Sequence, residues 1–93
     1  MAYVFTIPGP LRELANDRTE IRVGGSAQSV RDALDLLWKE APGVRDRVIT
    51  ERGDVRQHIN IFVDGESIRD ADGLRTPVRD GSEIVILPAV SGG

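Results

Sequence analysis

The sequence predicts an α+β domain in which one main helix packs on one face of a four- to five-stranded sheet. Two observations support this fold class: four short segments are rich in β-forming residues, and one longer segment has the spacing of an amphipathic helix. Their order is β-β-α-β-β, with a short irregular piece before the last strand. Because one helix cannot cover both faces of such a sheet, we expect the other face to lie open. Residues 1–88 are predicted to form this single domain.

The first two strands are predicted to form a hairpin with a long connection. Residues 3–7 are mostly β-formers, and Pro8-Gly9-Pro10 then ends the strand. Residues 20–23 alternate polar and apolar side chains before they meet Gly24-Gly25. The connection between the two strands is therefore expected to span residues 8–18.

The helix has the clearest pattern in the chain. Ser29 is a favourable N-cap, and Asp32 three residues later has the spacing of a capping box. The apolar residues that follow fall at i, i+3, i+4, i+7 and i+8, on one helix face: Val30, Ala33, Leu34, Leu37 and Trp38. Pro42-Gly43 is predicted to end this helix, and residues 44–49 are expected to form one further turn.

Two further strands complete the predicted sheet. Residues 59–63 alternate in side-chain character before the Asp64-Gly65 turn, and residues 83–87 form the last β-rich run. The segment 70–80 between them is dominated by turn-forming residues. Because Pro88 lacks a backbone N–H and discourages further pairing, we expect residues 89–93 to form a flexible C-terminal tail.

The composition excludes several classes of protein. Cysteine is absent, which rules out a disulfide framework, a cysteine zinc site and a thiol nucleophile. The net charge of −3 lacks the cationic character of a nucleic-acid-binding domain. Residues 1–5 lack the pattern of a secretory signal, and the longest apolar run, residues 84–90, is too short to span a bilayer. We therefore expect a cytoplasmic protein with neither a nucleic-acid nor a membrane partner.

Catalytic and metal-ligating constellations are not evident in the sequence. His58 is the single histidine, and we interpret it as a residue at the start of a strand. The stretch Asp70-Ala71-Asp72-Gly73 resembles part of a calcium loop but lacks the full ligand series and the terminal Glu, so a turn is predicted. The chain is therefore expected to be neither an enzyme nor a metal-binding protein.

Two blocks of sequence resemble the MoaD/ThiS-type sulfur-carrier family. The first is the C-terminal run from Asp80 through Leu87-Pro88-Ala89-Val90-Ser91 to Gly92-Gly93, and the second is the strand-turn-strand of residues 58–69. The end is most similar to the CysO-like carriers, which read Leu-Pro-Ala-Val, a small residue and Gly-Gly. This resemblance implies the ubiquitin-like β-grasp fold, in which the first strand pairs in parallel with the last.

The resemblance also implies a chemical role for the C-terminus. An E1-like enzyme would use ATP to adenylate Gly93, and a sulfur donor would then displace AMP to leave a thiocarboxylate, a 1-thioglycine. The chain itself would bind no cofactor. The residues before the reacting glycine would thread into the cleft of the partner enzyme: Ala89, Val90, Ser91 and Gly92. Glycine suits such a cleft because it has no Cβ to hinder the approach of another group.

A docking patch is predicted on the open face of the sheet. If residues 59, 61, 63, 84 and 86 face the helix, strand alternation turns three apolar side chains to the opposite face: Phe62, Val85 and Leu87. Such a cluster would bind a partner, unless a loop or an inverted register hides it. Arg75 and Arg79 are further candidates for charge complementarity near the tail, although a solvated position fits both.

Three functions remain open from the sequence: a sulfur carrier, a ubiquitin-like modifier joined through Gly93 to lysines, and an adaptor with an inert end. A modifier that builds chains needs acceptor amines, and this sequence offers only Lys39 and the amino terminus, so we do not expect chain building, whereas single conjugation remains open. For a carrier, the CysO-like end favours a cysteine route with a pyridoxal-phosphate-dependent synthase as acceptor and a metalloprotease that releases the product. Molybdopterin synthesis is the main alternative, and thiamine synthesis is a weaker one.

Overall fold

The structure is a computed structural model that describes residues 1–7 and 9–88 and, at Pro10, the backbone alone. Five strands form one mixed sheet in the order β2-β1-β5-β3-β4. Their bounds are β1 Ala2–Thr6, β2 Glu20–Gly24, β3 Ile59–Val63, β4 Glu66–Ser67 and β5 Glu83–Pro88. β1 and β5 pair in parallel at the centre, and the other neighbours are antiparallel. The predicted β-grasp arrangement is thereby confirmed.

The predicted helix is present as α1, Val30–Glu40. The Ser29 Oγ accepts a hydrogen bond from the Asp32 N–H at 3.3 Å, which satisfies one of the free N–H groups of the first turn. The Asp32 carboxylate accepts from the Gln28 N–H at 3.2 Å rather than from Ser29, so the capping box is shifted by one residue. The apolar face of α1 is buried as predicted, except that Trp38 is half-buried.

A second helix, α2, replaces the single further turn that the sequence predicts. It runs from Pro42 to Val48, directly after α1. Pro42 occupies the first turn of α2, where its missing N–H has no intrahelical acceptor to lose. The same residue that ends α1 therefore begins the next helix.

Short 3₁₀ turns fill the remaining connections of the fold. One spans Gly9–Ala15 in the β1–β2 connection, and two lie before β5, at Ile68–Asp70 and Gly73–Arg75. The predicted turn at Asp70-Ala71-Asp72-Gly73 lies across these last two 3₁₀ turns.

The core lies between the sheet and the two helices. Alternate residues of β3 and β5 are fully or almost fully buried, whereas their neighbours are half-buried. The fully buried large side chains of the sheet share one core with Leu34 and Leu37 of α1: Tyr3, Phe5, Ile59, Ile61, Ile84 and Ile86. Each contributes about 1.5–3 kcal/mol by its removal from water. The helices cover this face of the sheet and leave the other face open, as predicted.

Tyr3 connects β1 to the segment that precedes α1. Its ring is fully buried, and its hydroxyl donates to the Ala27 carbonyl at 2.9 Å and accepts from the Ala27 N–H at 3.0 Å. Tyr3→Phe leaves both Ala27 groups without this partner, so we expect the free energy of unfolding to fall by about 1–3 kcal/mol. Urea denaturation followed by circular dichroism measures this change. An unchanged midpoint would show that water satisfies the two Ala27 groups equally well.

Candidate functional site

β5 carries the chain to the point where the predicted tail begins. Pro88, the last residue of β5, has Ile59 of β3 as its register partner. The strand therefore runs one residue beyond the predicted end at Leu87. Residues 89–93, with the predicted threading residues and the reacting Gly93, lie outside the described residues. The site that the structure positions is thus the sheet around the origin of this segment.

The open face of the sheet brings the three predicted docking residues together. Val85 of β5 is the register partner of Phe62 in β3 and of Thr6 in β1. Leu87 lies one row closer to the end of β5, opposite Asn60. The alternation along both strands turns these side chains away from the helices, as the predicted register requires. They form a continuous apolar stripe, defined by Phe62, Val85 and Leu87, at the centre of the open face.

The apolar stripe is half-buried rather than fully exposed. The row through Val85 continues from Thr6 to Glu20 of β2 on one side, and from Phe62 to Ser67 of β4 on the other. Arg22 and Glu20 of β2 approach within 3.8 Å at the margin of this face, and both are exposed. A central apolar stripe with a polar margin is the usual anatomy of a protein interface. The docking role of the three residues stays a prediction.

Several arginines lie at the end of the sheet where β5 terminates, and no sequence pattern singles them out. Arg56 lies in the turn that leads into β3, where its carbonyl accepts from the Ile59 N–H at 3.0 Å. The Arg69 guanidinium donates to the carbonyls of Gln57 and Ile59 at 2.9 and 3.0 Å. These contacts bring residues that are distant in sequence beside Pro88, the partner of Ile59. A pattern of arginines in the sequence gives no signal of this convergence.

The two arginines proposed from sequence take different positions. Arg79 lies just before β5, where its N–H donates to the Ser82 Oγ at 2.9 Å, so the length of the strand separates it from Pro88. Arg79 is exposed there, as the solvated alternative predicts, and it does not lie near the origin of the tail. Arg75 lines a cavity of about 360 Å³ with Ile59 and Ile61 on the helix side of the sheet. Arg75 thus lies on the opposite face from the apolar stripe.

His58 is exposed and directly precedes β3, in the position that the sequence predicts for it. Within residues 1–7 and 9–88, no three His, Cys, Asp or Glu side chains are grouped so as to hold a metal ion. None of the helices in the described part of the chain is long and apolar enough to cross a bilayer.

Comparison with known proteins identifies the family. A family model described as the ThiS family matches residues 5–93, a range that includes the Gly-Gly end.

The chain belongs to the ThiS family.

Two curated relatives of this ThiS-family protein show what the family contains. Small archaeal modifier protein 1 from Haloferax volcanii is 38% identical over 84 residues, which cover 89% of this chain and 91% of the relative. The sulfur carrier protein CysO from Mycobacterium tuberculosis is 32% identical over 73 residues, which cover 76% and 78%. The protein therefore belongs among the sulfur carriers and small ubiquitin-like modifiers.

A solved structure agrees with this assignment. A chain of the BexX/CysO complex from Amycolatopsis orientalis matches with a TM-score of 0.86 and 30% identity, covering 98% of this ThiS-family protein and 99% of that chain. The predicted resemblance to the MoaD/ThiS-type carriers is confirmed. The relatives include both CysO proteins and archaeal modifiers.

Proposed function

We propose that this protein is a sulfur carrier whose Gly93 carboxylate is adenylated by an E1-like enzyme and converted to a thiocarboxylate. The observation that carries this proposal is the family match, which extends through the Gly-Gly end to residue 93. The proposal requires Gly93 to be the last residue of the mature chain. Because the activation consumes ATP, we place it in the cytoplasm.

The proposed chemistry asks little of the carrier itself. A carboxylate is a poor electrophile, so an oxygen of Gly93 attacks the α-phosphate of ATP and pyrophosphate leaves. Hydrosulfide supplied by the sulfur donor then attacks the acyl carbon, AMP leaves with the former carboxylate oxygen, and Gly93 carries the thiocarboxylate. The reacting groups besides Gly93 belong to the partner enzymes, so the carrier acts as a co-substrate and not as a catalyst. Its own contribution is to present an unhindered glycyl carbonyl at the end of a short extended segment.

The length of the C-terminal segment supports separate roles for the folded domain and for Gly93. Five residues follow Pro88, and an extended chain of that length spans about 16–18 Å. Gly93 can therefore enter a cleft of that depth while the sheet remains outside it. The apolar stripe, which ends at Leu87 beside the origin of this segment, is the surface that we propose to dock at the cleft.

The similarity to CysO favours cysteine synthesis as the route that receives the sulfur. In this proposal a pyridoxal-phosphate-dependent synthase supplies the acceptor: the thiocarboxylate sulfur bonds to the acceptor carbon as a leaving group departs from that carbon, and a thioester joins the carrier to the product. A metalloprotease then hydrolyses the acyl bond, which returns the Gly93 carboxylate and leaves the sulfur on the product. Co-purification of such a synthase with the tagged carrier tests the route, and capture of a different sulfur acceptor in its place would redirect it.

The similarity to small archaeal modifier protein 1 favours a second candidate, conjugation of Gly93 to lysines of other proteins. Both candidates use the same activated acyl group, and they differ in the nucleophile that attacks it. Lys39 lies exposed in the last turn of α1, on the helix layer and away from the apolar stripe. A modifier docked through its sheet would therefore leave its single lysine accessible for self-conjugation.

Intact-mass spectrometry tests both candidates on one sample. In this test the chain and its Lys39→Arg variant are each incubated with ATP, the E1-like enzyme of the organism and a sulfur source. The intact masses of the two proteins are then compared. A carrier is expected to gain the mass of one sulfur in place of oxygen in both proteins. A modifier is expected to form larger conjugates on lysines of the proteins present, and any conjugate on Lys39 itself is lost in Lys39→Arg, because arginine is not a nucleophile at neutral pH. An unmodified mass in all samples would contradict activation at Gly93.

A further inference from the structure

Three arginine side chains of the described residues donate to backbone carbonyls, and all three lie at the edge of the sheet where β1 and β5 end. Arg56 donates from Nε to the Asp46 carbonyl at 2.7 Å, and Arg69 donates to the Gln57 and Ile59 carbonyls. Arg18 donates to the carbonyls of Ala15 and Glu40 at 3.1 and 3.3 Å. Backbone carbonyls fix the direction of a guanidinium group without neutralising its charge.

On the β3 side of this end of the sheet, acidic residues share cavities with both arginines: Glu51 and Asp54 with Arg56, and Asp54 and Asp72 with Arg69. Arg56 and His58 line one cavity with Asp46 and Arg47 of α2. Asp46 contributes its carbonyl to Arg56, whereas its carboxylate lies 3.4 Å from Arg45. Within residues 1–7 and 9–88, neither Arg56 nor Arg69 forms an ion pair with a carboxylate. We call Arg47, Arg56 and Arg69 the basic rim.

The basic rim lies beside the origin of the C-terminal segment. Ile59, whose carbonyl accepts from Arg69, is the register partner of Pro88, so one strand spacing of about 4.8 Å separates the two chains. Arg18 lies on the far side, beyond β1, and Asp17 precedes it in the sequence. The basic rim therefore includes arginines of the β3 side alone.

We infer that the basic rim docks against carboxylate side chains at the mouth of the cleft in the activating enzyme, an inference that rests on the proposed function. At full extension Gly93 would lie about 16–18 Å from Pro88, whereas the Ile59 carbonyl points away from β5, so Arg69 lies on the far side of β3, about two strand spacings or ~10 Å from Pro88. The phosphates at the reacting carboxylate are thus out of reach of the rim, and protein groups at the mouth are within reach. Aspartate and glutamate are the side chains that match guanidinium groups there.

Two arginine pairs test this surface. Arg56→Gln with Arg69→Gln removes both charges but keeps an NH₂ donor for the carbonyls. We expect the association rate constant with the E1-like enzyme to fall about tenfold at low ionic strength and to depend less steeply on NaCl. The matched control, Arg31→Gln with Arg79→Gln, removes the same charge at the opposite end of the sheet, where both residues are exposed. The control is expected to bind at the wild-type rate.

Stopped-flow mixing measures association, and pyrophosphate release from ATP in the same mixtures measures adenylation. If circular dichroism shows that the double variant is unfolded, Arg47→Glu replaces it, because Arg47 is exposed on α2 and its reversal leaves the carbonyl contacts in place. Slower association than in the control supports the basic rim. Wild-type association overturns it and leaves adenylation of Gly93 standing. A wild-type chain that supports no pyrophosphate release overturns the proposed function, and the docking inference with it.

Discussion

Deletion of Gly92 and Gly93, or addition of one alanine after Gly93, is expected to abolish thiocarboxylate formation. An added residue displaces the terminal carboxylate by about 3.3–3.6 Å and places a Cβ beside it. Because a displacement of about 1 Å from the productive geometry already costs about 100-fold in rate, each change is expected to reduce adenylation at least that much. Pyrophosphate release measures the loss, and intact-mass spectrometry checks that no sulfur is gained.

The control for this prediction separates loss of activation from loss of folding. Both proteins keep residues 1–88, which hold all of the described core. The truncated and extended proteins are expected to unfold at the wild-type urea concentration. Adenylation that continues at the wild-type rate in either protein would remove the basis of the proposed function and leave a β-grasp domain whose end is not used.

The sequence predicts the parts of this fold that depend on local periodicity. Burial on one face produces the spacing of Val30, Leu34 and Leu37 in α1 and the alternation of β3 and β5, so these elements and their faces can be inferred directly. Strand neighbours are a different matter, because periodicity does not say which strands pair. The parallel pairing of β1 with β5 came from the resemblance to a family, and the structure confirms it.

Two elements were predicted only in part, for identifiable reasons: β4 came from the strand-turn-strand resemblance of residues 58–69, and α2 was expected as a single turn. β4 contains only Glu66 and Ser67, too few residues for an alternating pattern, and its pairing depends on the turn that follows β3. Pro42 and Gly43 are both typical of helix ends, yet proline is equally suited to the first turn of a helix. Pro42-Gly43 is therefore consistent with the end of one helix and with the start of another, and in this structure it marks both.

Of the candidate site, the sequence predicts the members of the apolar stripe but not the basic rim. Strand alternation places Phe62 and Val85 on the same face, because each lies between buried residues of its own strand, and the structure shows that they are direct neighbours. Arg56 and Arg69 converge through their bonds to backbone carbonyls, and such bonds leave no trace in residue spacing. Surfaces made by side chains from distant turns require the tertiary structure.

Phe62→Ala is expected to reduce the catalytic efficiency of adenylation by about thirtyfold or more. Phe62 is the single aromatic of the apolar stripe, and it lies directly opposite Val85 at the centre of the open face. Central aromatic residues of protein interfaces commonly contribute about 2 kcal/mol or more to binding. The loss is expected as a raised KM for the carrier, with kcat unchanged, because the variant keeps Gly93 and the segment before it. Steady-state pyrophosphate release at increasing carrier concentration measures both constants.

Trp38→Ala provides the matched control for the apolar stripe. Trp38 is also a half-buried aromatic that packs against the core, but it lies on α1, on the helix layer. Both substitutions remove packing and are expected to lower the free energy of unfolding, whereas only Phe62→Ala removes a side chain from the open face. If both variants raise KM equally, loss of stability explains the effect and the stripe is not the docking surface. If Phe62→Ala alone raises KM, the carrier presents its sheet to the activating enzyme, with α1 and Lys39 directed away from it.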